Sequence, residues 1–161
     1  MKEQHRVFVL RHADMFREEP RELNPHGIEQ AHRVGKTLAQ LGYRHLVLSS
    51  PYARTMQTAQ IIAEHVNVIS VESLDILREY ESGESLVEMR ERAEIALQMA
   101  CALFRLNPIV VSHREPIRAM AASILHRNPR AIAVPKAGGF VLEFDGLSMQ
   151  YQYREAHLLF P

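Results

Sequence analysis

The sequence predicts an α/β protein, a three-layer α/β/α sandwich on a mostly parallel sheet with an antiparallel edge element near the C-terminus. Two patterns carry this expectation. Short β-rich runs, "RVFVLR", "HLVLS", "VNVISV" and "NPIVVS", alternate with longer segments of helical period, as strands joined by crossover helices do. The last run, "GGFVLEFDGLSMQYQYR", instead alternates around Asp145-Gly146, which signals a hairpin. With 161 residues, 47% of them apolar, and no repeat or linker-like tract, residues 1–161 are expected to form one domain.

The elements follow in order. The first strand runs apolar into an arginine and a histidine, Arg11-His12. The next helix takes Asn24 as N-cap and Pro25 at N1, repeats apolar residues at Ile28, Ala31, Val34, Leu38 and Leu41, and closes at Gly42. "HLVLS" ends on Ser49-Ser50, and Ser50 with Pro51 reads as N-cap and N1 of a helix carrying Arg54 in its first turns. After the third strand, "SLVE" from Ser85 is a capping box. It opens a helix with a stripe of Leu86, Met89, Ala93, Ala96, Ala100, Leu103 and Phe104, expected to reach about Leu106, before Pro108. The fourth strand ends on Ser112-His113 and leads into "REPIRAM".

Charge narrows the partners. Lys plus Arg (19) balance Asp plus Glu (19), so no global field attracts nucleic acid or an anionic membrane. No window approaches a membrane span, and "MKEQHR" lacks the apolar core of a signal peptide, so a cytoplasmic protein is expected. The one cysteine, Cys101, sits in "LQMACALF" as a small apolar side chain and excludes an intramolecular disulfide.

In open α/β sheets ligands bind outside the carboxyl ends of the strands. Here those ends carry Arg11-His12, Ser50 with Arg54, and His113-Arg114. Backbone N–H groups at a helix start beside a guanidinium make an anion site. Arg11 and two histidines added to it favour a phosphoryl group, which a planar guanidinium grips bidentately, with carboxylate as the alternative.

The stretches "LRHAD", "LSSPYARTMQTA" and "VVSHREPI" resemble the histidine phosphatase superfamily, which includes phosphoglycerate mutases and the short SixA-type phosphohistidine phosphatases. "LNPHGIEQAHRVGKTLAQLG" is similar to that family's first helix and the turn before it. The short chain, with no large insertion before Ser85, is closest to the SixA type, whereas "GES" at residues 83–85 and "SH…IRA" look more like the mutase branch. The resemblance implies a nucleophilic His12 with Arg11, Arg54 and His113 around the phosphoryl oxygens. Ser50 and Arg114 are expected as further phosphate contacts. The proton donor is expected in the stretch "LREYESGES", with Glu79 first and Glu81, Glu84 and Asp14 as alternatives. Neighbouring guanidinium groups should keep the His12 imidazole neutral. Ala13 and Arg114 stand where the family commonly has glycine.

The implied chemistry is metal-independent hydrolysis through a phosphohistidine, with no cofactor, on a phosphorylated protein or a small phosphorylated metabolite. A non-catalytic phosphoryl-binding module and a mutase-like enzyme are the alternatives. Zinc on His12, His113 and Asp14 or Glu79 is opposed by two guanidinium groups. No P-loop or dinucleotide fingerprint occurs. His5, His26, His32, His45, His65, His126 and His157 are expected to be structural or exposed.

Overall fold

The computed structural model describes residues 4–146 and 149–156, so His157 and two residues of the hairpin turn lie outside the described residues. Six strands, β1 (His5–Arg11), β2 (Arg44–Ser49), β3 (Asn67–Ser73), β4 (Ile109–Ser112), β5 (Gly139–Phe144) and β6 (Tyr151–Glu155), form one sheet. Its order is β3-β2-β4-β1-β5-β6. The first four in that order run parallel, while β5 is antiparallel to β1 and β6 to β5. The expected hairpin is therefore an edge of the main sheet, closed by Asp145 N–H donating to the Gln150 carbonyl at 3.2 Å.

Central strands are buried on both faces, hence their nearly unbroken apolar sequence. In β1 the side chains alternate. Val7 and Val9 join one core with α3 (Leu86–Ala102) and α4 (Arg114–Leu125), and Phe8 and Leu10 join the other with α1 (Pro25–Ala39) and α2 (Ala53–Ala63). Helices thus cover both faces, α1 beside α2 and α3 beside α4. Among the described residues, no helix is long and apolar enough to cross a membrane.

α1 starts as its sequence dictates: the Asn24 side chain accepts from Gly27 N–H at 2.8 Å, with Pro25 at N1. Gly27 is required by proximity, since a Cβ there would lie 1.8 Å from the Asp14 carbonyl oxygen. The helix locks against the backbone that follows His12. α3 opens with the Ser85–Glu88 capping box, but it ends at Ala102 and gives way to a 3-10 turn over Phe104–Leu106. Leu86, expected in its buried stripe, is exposed.

α2 departs from expectation at its start. Tyr52, with extended backbone, is the N-cap, and it makes no side-chain cap. Ser50 does not serve as the cap because its hydroxyl is committed to Thr55 Oγ1 at 2.9 Å and His113 Nε2 at 2.7 Å. The loops leaving β1 and β4, which are neighbours in the sheet, lead to helices on opposite faces, and this opens a crevice at their carboxyl ends.

Candidate active site

His12 is the first residue past β1. Its N–H donates to the Ser112 carbonyl at 3.1 Å, and its side chain is 3% exposed. Nδ1 lies 2.8 Å from the Ala13 carbonyl oxygen. A carbonyl only accepts, so Nδ1 carries the hydrogen and Nε2 presents a lone pair. Burial holds the imidazole neutral, pushing its pKa down to about 3; Lys136, Arg54 and Arg11 add to this, while the Ala13 bond opposes it. The guanidinium groups act in the expected direction, but burial is the larger cause. Ala13 is buried, its N–H donates to Thr58 Oγ1 at 3.0 Å, and it is not among the residues of positive φ. An alanine therefore does at this position what a glycine would.

His113 faces His12 across the crevice, with ring centroids 5.5 Å apart. Arg54 Nη2 approaches His113 Nδ1 at 3.3 Å, and a guanidinium only donates. The hydrogen on His113 is therefore at Nε2, donated to Ser50 Oγ. Burial first, then Arg54, depresses the His113 pKa to about 2. Tyr52 braces the pair, its ring edge-on to His113 at 5.2 Å and under the Arg54 guanidinium at 4.9 Å.

Arg54 is 4% exposed and pairs with Glu79, and Arg11 Nη1 donates to the Val134 carbonyl at 2.9 Å. Both arginines keep a buried Nε–H with no partner among the described residues. An unmet buried N–H costs about 1–3 kcal/mol.

The alternatives to Glu79 separate by their partners. Glu84 is held by Arg92 at 2.8 and 2.9 Å, and Asp14 by Asn24 Nδ2 at 3.0 Å. Glu81 is exposed. Of these carboxylates, Glu79 is the one that pairs with Arg54. Arg114 is brought near the site but not into it: its guanidinium is 53% exposed and bonds Glu115 at 2.9 Å. It and Arg118 nevertheless help to lower the Arg11 pKa, after burial.

Sequence reasoning missed Lys136. Three hydrogen bonds stitch its loop to the end of β1: Arg11 Nη1 to the Val134 carbonyl, Ala137 N–H to the His12 carbonyl at 3.2 Å, and Arg11 N–H to the Gly138 carbonyl at 2.8 Å. Half-buried among Arg11, Asp14, Arg54 and Glu79, Lys136 makes no hydrogen bond or ion pair with the described residues. Burial and the two arginines pull its pKa down to about 8. The available signal was topological. An antiparallel strand brings its amino end to the edge where parallel strands bring their carboxyl ends, so the residues before β5 belonged in the search.

Residues 8–84 match the sequence profile of the Histidine phosphatase superfamily (branch 1). Mouse mitochondrial serine/threonine-protein phosphatase PGAM5 is 37% identical over 78 residues, covering 45% of this chain and 27% of its own length. The chain thus spans about a quarter of the length of the curated relatives it matches. In structure it is similar to a mutant of Entamoeba histolytica phosphoserine phosphatase in complex with phosphoserine, with a TM-score of 0.72, 17% identity and coverage of 94% and 96% of the two chains. It is also similar to the protein histidine phosphatase SixA complexed with tungstate, with a TM-score of 0.70, 18% identity and coverage of 92% and 94%. The profile match thus runs from within β1 to the segment before α3 and takes in His12, Arg54 and Glu79, while the chain as a whole shares the fold of these structures.

Proposed function

We propose that the protein is a phosphatase that works through a phosphohistidine at His12, without a metal. The observation that carries this reading is the His12 tautomer: Nδ1–H is tied to the Ala13 carbonyl, and the neutral Nε2 is free to attack. Attack on phosphorus in line with the leaving atom forms the N–P bond at His12 as the bond from phosphorus to that atom breaks, and the departing electron pair goes to oxygen in an ester or to imidazole nitrogen in a phosphohistidine. Arg11 and Arg54 bring their guanidinium groups to the equatorial oxygens, with His113, Ser50 and Lys136 around them, and Arg114 stands at the rim. When the phosphoryl oxygens take over the Arg54 fork, Glu79 is released beside the leaving atom, takes up a proton from solvent as its ion pair is lost, and gives that proton to the leaving atom. It then takes one from the water that attacks the phosphohistidine, and Nε2 leaves with its electron pair.

The substrate class follows from access. The connection from β3 to α3 is short and holds one 3-10 turn, Asp75–Leu77. It supplies no lid to exclude water around a small metabolite. A phosphorylated side chain presented by another protein, phosphohistidine first, fits this open crevice best.

Rapid mixing with labelled substrate, followed by a quench in base, tests the chemistry. A trapped phosphoenzyme stable to alkali and lost in acid is expected, and it must vanish in His12→Ala. Turnover with no such species in wild type overturns the reading.

A further inference from the structure

Among the described residues, one cluster of chemically competent side chains lies outside the crevice and has no part in the proposed reaction. His32 lies on α1, Glu64 is the C-cap residue of α2, and His65 follows it. We propose that His32, Glu64 and His65 form a binding site for one divalent transition-metal ion of the zinc class, joining α1 to the turn after α2.

The geometry favours an ion. One ligand atom from each of the three side chains lies within 4.8 Å of the other two. His32 Nδ1 and His65 Nε2 are 2.7 Å apart, and the rings meet edge to face at 5.1 Å. Two imidazole nitrogens this close share one hydrogen, the donor lending its N–H and the acceptor its lone pair. Moving that hydrogen to the donor ring's other nitrogen leaves two lone pairs converging, and a small opening of the pair admits a metal at about 2.0–2.1 Å from each nitrogen.

The fold also makes room for this arrangement. Gly35 sits inside α1, where glycine is less stabilising than alanine. A Cβ there would meet His65 Cδ2 at 2.7 Å. The helix thus gives up stability at the position against which the His65 ring lies. Beside it is an open hollow of about 560 Å³ lined by Glu29, His32, Arg33, Lys36 and His65, through which an ion can enter. Glu29, one turn before His32, adds a second carboxylate to its wall.

The donor set decides the class. Two imidazoles and a carboxylate suit zinc, cobalt, nickel or copper, whereas magnesium and calcium want oxygen ligands throughout. Three protein ligands leave a fourth position for water. Arg33 and Lys36 share the hollow and oppose a cation, which weakens the site. His65 is followed by the start of β3, at the end of the sheet opposite His12. The ion should therefore pin α1 to the α2–β3 turn and leave the chemistry untouched.

The test uses the full-length chain without an affinity tag, stripped with chelator and dialysed. Zinc is then titrated by calorimetry and cobalt by visible absorption. One equivalent is expected to bind and to raise the thermal midpoint, with at least tenfold weaker binding in His32→Ala and His65→Ala. Gly35→Ala keeps all three ligands but crowds the ring, and it should weaken binding too; its turnover reports that it is folded. Phosphatase turnover should be equal in stripped and zinc-loaded protein. Absence of binding in wild type overturns the proposal. So does undiminished binding in His32→Ala and His65→Ala, or binding lost in His12→Ala instead, which puts the ion in the crevice.

Discussion

His12 and His113 are buried neutral, and their low pKa values tie stability to acidity. A histidine whose pKa falls from about 6.5 in the unfolded chain to about 3 when folded binds fewer protons in the native state between those values. Stability is then complete above pH 6.5 and falls with pH through that window. His113, at about 2, acts in the same direction. Urea titrations from pH 7 to pH 4 should show wild-type stability falling, and His12→Gln should reduce that slope by up to about 1.4 kcal/mol per pH unit. An unchanged slope would mean that the ring is not held neutral by burial.

Lys136 permits a second measurement at the same scale. Tungstate keeps its double negative charge through neutral and alkaline pH, so any loss of its affinity there belongs to the protein. The groups facing Lys136, namely His12, Arg11, Asp14, Arg54 and Glu79, come from β1, the loop after it, α2 and the segment before α3. Binding should weaken as pH rises past about 8, stay weak and flat in Lys136→Met, and stay strong and flat in Lys136→Arg. At pH 7 the methionine variant should bind about tenfold less tightly, a loss of about 1.4 kcal/mol. Wild-type binding that ignores pH would remove Lys136 from the anion site.

At the scale of elements, the segment between β3 and α3 is held from one direction. Arg92 on α3 donates to the carbonyls of Ile76, Arg78 and Glu79 and pairs with Glu84. Glu79 is thereby steadied against Arg54 by a residue that hydrogen-bonds neither His12 nor His113. Arg92→Ala should lower kcat/KM for alkyl phosphates about tenfold, roughly 1.4 kcal/mol. Tungstate affinity should barely move, because Arg11, Arg54 and Lys136 keep their places. Equal losses in both would make Arg92 a general stabiliser instead.

The elements also show what the sequence made legible. Asn24 and Ser85 announce their helices because a cap is a local bond, closed within three residues. Arg11, His12 and His113 stand out because polar residues at the ends of apolar strands break the pattern that would bury them. Ser50 misleads for the converse reason. A serine before a proline reads as a cap, yet its hydroxyl is used by a histidine 63 residues away, and no local rule contains that distance. Lys136, His32 and His65 are hidden in the same way, since each acquires its neighbours only through the packing of strands and helices distant in sequence.

For the whole molecule, the proposed preference for a protein-borne phosphoryl group rests on the short segment that links β3 to α3. A phosphohistidine-bearing protein or peptide should therefore exceed phosphoglycerates and sugar phosphates in kcat/KM. A metabolite screen that finds one small phosphate ester processed about a hundredfold faster, roughly 2.7 kcal/mol of transition-state binding, would reject this preference.

The strand order has a consequence for how the molecule is assembled. β1 and β2 are successive in the chain, yet they never pair, because β4 lies between them and hydrogen-bonds to both. During synthesis, everything before Ile109 can form only a β2–β3 ribbon and a lone β1, each with an unsatisfied edge. The keystone strand is only four residues long and arrives late, so most of the sheet's cooperativity waits for "IVVS". A chain cut before Ile109 should expose apolar surface and bind a hydrophobic dye, while one extended through Phe144 should resist proteolysis. Ordered folding of the shorter piece would show that the keystone is dispensable.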